Sequence, residues 1–293
     1  VFLFFLKNHI AINYVSNLLN SRNFLLLLLI SIFIETTLIN FFFHPIQIYG
    51  SEYISSTLGS YNRPLGPMGN SSMTATFYIA YYAYISHVHK NDNLILLALF
   101  TTTILLLMSS TGFLLLSFYL IYLLLKRLIN FKVRISYLYV GIIIIVSYTL
   151  IFFIVELQKI SLNYYLMVIF EKLNFINNFE ISKDGKSLIA EDTFQLFFGH
   201  TVKSGVPLNG GDFAWLNLFF THGIFGAIIF VYLNISFYIK SNKKFILPLL
   251  ILFLGGCHYG VIFNSAGQLL LAYLLVYNPR EFVKNKKANT NEV

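Results

Sequence analysis

The chain has 293 residues, 57% apolar and only 11% charged, against about 25% charged in an average soluble domain. Its mean hydropathy is +0.71, and it carries 31 Phe, 20 Tyr and 1 Trp. Too little polar surface remains to cover a water-soluble fold, and disordered, collagen-like and disulfide-stapled classes are excluded as well, since Cys257 is the single cysteine. The formal charge of +8 lies mostly in clusters beside apolar runs: Lys126, Arg127, Lys132 and Arg134; Lys240, Lys243 and Lys244; Arg280, Lys284, Lys286 and Lys287. That is the pattern of juxtamembrane anchors, with no basic-aromatic face for nucleic acid.

Residues 1–6 form a short apolar stretch ending at Lys7, too short for a signal-peptide core. The chain therefore reads as starting inside a longer protein, or at an unusual start codon. A helix needs about 20 apolar residues to cross a hydrocarbon core of about 30 Å. Spans are predicted at 24–43, 73–88, 93–108, 111–125, 135–155, 213–239, 245–263 and 265–277, several of them short. The run 94–125 is too long for one upright helix, and Ser109, Ser110 and Gly112 predict a tight hairpin within it. The last two spans, separated only around Asn264, predict a second hairpin or a re-entrant pair.

The predicted fold is an all-α integral membrane protein of about eight transmembrane helices, one polytopic domain over 1–293. Eight crossings put both ends on one face. Placing that face in the cytoplasm keeps most of the Lys and Arg there and leaves Arg63, Lys159, Lys172, Lys183, Lys186 and Lys203 outside. Two external segments result, loop A at 44–72 and loop B at 156–212. Loop B holds Glu156, Glu171, Glu180, Asp184, Glu191, Asp192 and Asp212. Within it, Leu162, Leu166, Ile169, Leu173 and Ile176 predict an amphipathic helix over 157–179 lying near the outer interface.

Ionisable groups inside the spans are scarce, which argues against a proton-coupled transporter. Glu35 reads either as a functional carboxylate or as a helix-bonded structural one. His222 reads either as reaching a site or as an interhelical hydrogen bonder. The outer side is richer. In Arg63-Pro64-Leu65-Gly66-Pro67-Met68-Gly69-Asn70, two prolines and two glycines predict a tight turn that presents Arg63 for bidentate capture of phosphate, or for snorkelling to lipid headgroups. Loop B ends with Phe198-Gly199-His200, Lys203 and Gly210-Gly211-Asp212. Asp212 reads as a plain helix cap or, given the glycine pair and nearby cations, as a functional carboxylate. His258-Tyr259, between Gly255-Gly256 and Gly260, reads as a third outer polar element or as a satisfied buried histidine. No metal-ligand spacing, GxGxxG, P-loop or nucleophile elbow is present, so neither a metal nor a cofactor is expected.

The ordered set of Ser110-Thr111-Gly112, a large external loop, Gly199-His200, Gly211-Asp212-Phe213, Leu216 and Gly223-Ile224-Phe225-Gly226 resembles the O-antigen polymerase and O-antigen ligase superfamily. The Arg63, Gly66 and Gly69-Asn70 turn is similar to that family's external arginine motif, and His258 to its late external histidine. The resemblance covers roughly 41–277. The ligases typically have Arg where Ser110 stands and Asn-Pro-Asn where Asn70-Ser71-Ser72 stands, which favours polymerase. Family members usually have ten or more spans, so this chain would lack the first few.

The resemblance implies a multi-pass protein of the bacterial inner membrane with its active site on the periplasmic face. It would be a glycosyltransferase that polymerises undecaprenyl-diphosphate-linked repeat units into O-antigen or capsular polysaccharide, with a chain-length regulator as a possible partner. On that reading Arg63, His200 and Lys203 hold the diphosphate, His258 assists or acts as base, Asp212 is the other candidate base, and the aromatic-rich helices hold the polyprenyl tails. The alternatives are an O-antigen ligase acting on lipid A-core, a lipid-linked oligosaccharide flippase or other transporter, and a non-catalytic or truncated copy.

Overall fold

The computed structural model describes residues 16–49, 57–58, 61–89, 93–129, 197–199, 214–240, 245–256 and 260–276. The predicted span 135–155, the amphipathic helix 157–179 and most of loop B lie outside them. What is described is mainly α-helical. Two helical stretches are long and apolar enough to cross a membrane, Arg22–Phe42 and Thr221–Ile239, of 21 and 19 residues. At 1.5 Å per residue the first spans about 31 Å. The chain divides into two compact units, 20–180 and 1–19 with 181–293.

In the first unit, α1 (Arg22–Thr37) continues into a wider π-type turn, Leu38–Phe42. A short helix α2 (Pro45–Tyr49) follows, then the antiparallel pair β1 (Thr57–Leu58) and β2 (Tyr61–Asn62). This small hairpin was not predicted, because two-residue strands leave no alternation to read. The helices α3 (Ser71–His89), α4 (Leu94–Leu106) and α5 (Ser110–Ile129) complete the unit. Polar side chains start them. Asn70 Oδ1 accepts the Ser72 and Met73 amides at 2.9 and 3.2 Å, Asn93 Oδ1 accepts Ile95 N at 3.0 Å, and Ser109 Oγ accepts Gly112 N at 3.1 Å. The predicted hairpin is present: α4 ends at Leu106, Met108 turns the backbone with φ 43°, and α5 begins at Ser110.

α3 is the core of this unit, with every residue from Ser71 to Ile85 buried except Met73. A buried tyrosine must still place its hydroxyl. Tyr78, Tyr81 and Tyr84, three residues apart, all turn toward the N-terminal half of α1 and the residues just before it. Tyr78 donates to Leu28 O at 2.8 Å, Tyr81 to Ser21 O at 3.5 Å, and Tyr84 to the Asn20 side chain. On the other side Tyr82 stacks on Phe100 of α4 with centroids 4.1 Å apart, and Tyr119 of α5 meets both rings edge-on. Gly112 lets α5 approach closely, since a Cβ there would stand 2.8 Å from the Ala75 Cβ.

The second unit contains α6 (Ala214–Lys240), α7 (Ile246–Gly255), a 3-10 turn (Val261–Phe263) and α8 (Ser265–Val276). Two predicted spans contain helices with a feature that was not predicted. The span 213–239 is broken at Gly223 (φ 67°, ψ −171°), a conformation essentially restricted to glycine. The helix in 245–263 ends at the Gly255-Gly256 pair, giving a rod of 10 residues, about 15 Å, half the hydrocarbon thickness. Asn264 then caps α8 by accepting Ala266 N at 3.1 Å.

A cavity of about 260 Å³ opens between α6, α7 and α8, lined by Val231, Asn234, Tyr238, Leu249, Phe253 and Leu275, among others. Asn234 is 7% exposed; its Nδ2 donates to Phe230 O at 2.7 Å, while its Oδ1 has no partner. Leaving a buried acceptor unpaired costs about 1–3 kcal/mol. Asn234→Leu is therefore expected to stabilise the protein by about 1 kcal/mol, seen as a higher Tm in detergent. A lower Tm would contradict this.

Candidate functional site

The C-terminal end of α1, the β1–β2 hairpin, the 63–70 turn, the start of α3 and the α4–α5 hairpin gather at one end of the first unit. Asn40, in the π-type turn, acts like an extra strand residue. Its Oδ1 accepts Asn62 N, its Nδ2 donates to Asn62 O, both at 2.9 Å, and Asn62 Nδ2 donates to Ile39 O at 3.1 Å. The neighbouring Tyr61, 2% exposed, donates its hydroxyl to Leu106 O at 2.7 Å and so fastens the hairpin to the end of α4. Beside it, the buried hydroxyls of Ser72 and Ser109 meet at 2.7 Å.

Arg63 follows β2 directly and is half-buried. The turn after it is fixed from two sides. Glu35, two residues before the end of α1, accepts the Leu65 and Gly66 amides at Oε1, at 2.8 and 2.9 Å, and takes the Tyr49 hydroxyl on the same atom. Thr74 Oγ1 donates to Leu65 O at 2.6 Å, and Gly69 N to Gly66 O at 3.0 Å. Gly66 must be glycine twice over. Its φ is +68°, and a Cβ would lie 2.5 Å from Thr74 Cγ2 and 2.9 Å from Ile32 Cδ1. The Leu65 and Gly66 amides of this turn thus already serve a protein carboxylate.

Among the described residues of this unit, the other Lys and Arg mark the opposite end: Arg22 opens α1, and Lys126 and Arg127 lie near the end of α5. Arg63 stands apart from them. Three exposed rings, Phe41, Phe42 and Phe43, flank the site at 59%, 70% and 50% exposure. The α3 tyrosines are engaged inside the unit, as their three-residue spacing and need for hydroxyl partners require.

In the second unit, the segment 197–199 lies across the break in α6. A Cβ on Gly199 (φ +84°) would sit 2.3 Å from Thr221 O, and one on Gly223 would sit 2.4 Å from Phe197 O. The rings of Phe197 and Phe198 lie 5.6 and 5.4 Å from that of Phe225. His222 is exposed at the break, beside Gly226, rather than buried in an interhelical hydrogen bond. Trp215 donates to Phe253 O at 3.1 Å and stacks on that ring, pinning the first segment of α6 against the end of α7. Of the predicted site residues, Arg63 is described, whereas His200, Lys203, Asp212 and His258 lie outside the described residues. Gly199, Trp215 and Gly256 show where the chain enters or leaves those stretches. Among the described residues, no three His, Cys, Asp or Glu side chains form a group able to hold a metal ion.

No family model, curated protein or solved structure matches the chain.

Proposed function

We propose that the chain is a multi-pass glycosyltransferase of the bacterial inner membrane that polymerises undecaprenyl-diphosphate-linked repeat units on the external face. The observation that carries this reading is the braced 63–70 turn, which holds one arginine at the end of its unit opposite the other described Lys and Arg, namely Arg22, Lys126 and Arg127. That polarity agrees with retention of Lys and Arg in the cytoplasm. A diphosphate leaving group needs cations rather than a nucleotide pocket.

In the reaction, the bond between the anomeric carbon of the growing glycan and its undecaprenyl diphosphate breaks. A hydroxyl oxygen on the non-reducing end of the next lipid-linked repeat forms the new glycosidic bond. Its proton passes to Asp212 or His258, and the departing diphosphate is held by Arg63 and Lys203 with His200 assisting. Phe41, Phe42 and Phe43 provide an aromatic surface at the level where the polyprenyl chain meets its headgroup.

The test is purified protein in vesicles containing lipid-linked repeat units and no other glycan acceptor. A polymerase produces a ladder of repeat lengths. A ligase or flippase leaves every lipid with a single repeat, and that result would reject the proposal.

A further inference from the structure

We infer that Glu35 is a positioning residue for Arg63, acting as a hydrogen-bond acceptor and not as a charge or proton carrier. The inference rests on the glycan-transfer reading for its activity readout only. The geometry is specific. The consecutive amides of Leu65 and Gly66 converge on Oε1 at 2.8 and 2.9 Å, and the Tyr49 hydroxyl of α2 joins them on the same oxygen. One atom of α1 therefore ties together both flanks of loop A.

Backbone amides near a membrane surface need partners, because each unsatisfied group in an apolar setting costs several kcal/mol. A positive-φ glycine beside a neighbour makes such a pair of amides concave, a form suited to a single oxygen. The Gly66 φ of +68° supplies that shape. A side chain at position 66 would meet Ile32, one helical turn before Glu35, whose Cδ1 lies 2.9 Å from where a Cβ would stand. On the far side of the turn Thr74 takes the Leu65 carbonyl, so the peptide is held by its N–H on one face and its C=O on the other. Arg63 enters this braced peptide two residues upstream, with Pro64 between, and proline fixes the backbone that links them.

An intramembrane carboxylate usually marks a proton or ion pathway. The two roles separate cleanly. An acceptor can be replaced by glutamine, whose carbonyl oxygen offers the same lone pairs, whereas a proton carrier or counter-charge cannot.

The experiment compares wild type, Glu35→Gln, Glu35→Leu and Tyr49→Phe as full-length protein in lipid vesicles. It reads the initial rate of chain extension and, separately, the rate at which phenylglyoxal modifies Arg63, followed by peptide mass spectrometry. Glu35→Gln is expected within about threefold of wild type on both readouts. Glu35→Leu is expected to lower extension about 10- to 100-fold and to change Arg63 modification several-fold, as misplacement of a binding group predicts. Tyr49→Phe should fall between.

Glutamine behaving as poorly as leucine would overturn the inference, as would leucine matching wild type on the labelling readout. If Glu35→Leu does not accumulate, Tyr49→Phe decides with Glu35→Gln, and unchanged labelling in Tyr49→Phe overturns it. Absence of extension by the wild type would instead count against the glycan-transfer reading, and the labelling comparison would still decide the role of Glu35.

Discussion

Arg63→Ala is expected to reduce chain extension about 100- to 1,000-fold, the usual effect of removing one preorganised group that stabilises developing charge. The accumulated protein should stay near wild-type level. The turn carrying Arg63 is held through backbone atoms, by Glu35 on the Leu65 and Gly66 amides and by Thr74 on the Leu65 carbonyl, so loss of the guanidinium leaves the brace intact. Arg63→Lys should recover part of the rate and not all of it. An ammonium supplies the charge but not the planar fork that grips two phosphate oxygens. The check is polymer length and amount in cells expressing each variant at matched levels. Unchanged polymer in Arg63→Ala would remove this residue from the mechanism.

Gly223→Ala is expected to destabilise the protein by about 3 kcal/mol or more, and Gly199→Ala by a similar amount. Two costs combine at Gly223. Its φ/ψ of 67° and −171° lies where residues with a Cβ are strained by about 1–3 kcal/mol. A Cβ would also meet backbone rather than a flexible side chain, 2.4 Å from Phe197 O and 2.6 Å from Gly199 N, and overpacking adds about 1–3 kcal/mol.

Gly69→Ala separates the two effects. Gly69 has nearly the same φ, +68°, with nothing near the site of a Cβ, so it should lose only about 1–2 kcal/mol. Because Gly199 and Gly223 form one crossing, their double variant should cost less than the sum of the singles. Thermal unfolding in detergent measures all four, and Gly223→Ala unfolding at the wild-type temperature would contradict the crossing. The functional stake is that Gly199 directly precedes His200, so the clip at the helix break fixes where that stretch of loop B begins.

Hydropathy alone located α1, α3, α4 and α5 to within a few residues, because apolar run length is what distinguishes a helix sheathed in lipid or protein from the turns between. The hairpin at 107–109 was readable for a related reason: Ser109 and Ser110 interrupt an apolar stretch that is too long for one crossing. The break at Gly223 was not readable as such. Apolar residues continue on both sides of it, and a lone glycine in such a run is usually tolerated inside a helix. What decides its conformation is the backbone of 197–199, more than twenty residues away.

Glu35 shows the same limit. Its position in a span marked it as unusual, but its partners are backbone amides about thirty residues later, and amides leave no trace in residue identity. The tyrosines of α3 were likewise not read from the sequence, because the oxygens that take the Tyr78, Tyr81 and Tyr84 hydroxyls belong to α1 and the residues just before it, more than fifty residues earlier for Tyr81 and Tyr84 and fifty for Tyr78.

The most direct measurement is the surface glycan of cells from which this chain has been deleted, resolved by length. A polymerase at the outer face predicts that each glycan-bearing lipid carries one repeat unit, because assembly, export and attachment proceed while extension does not. A full-length ladder in the deletion strain, or the loss of surface glycan altogether, would contradict it.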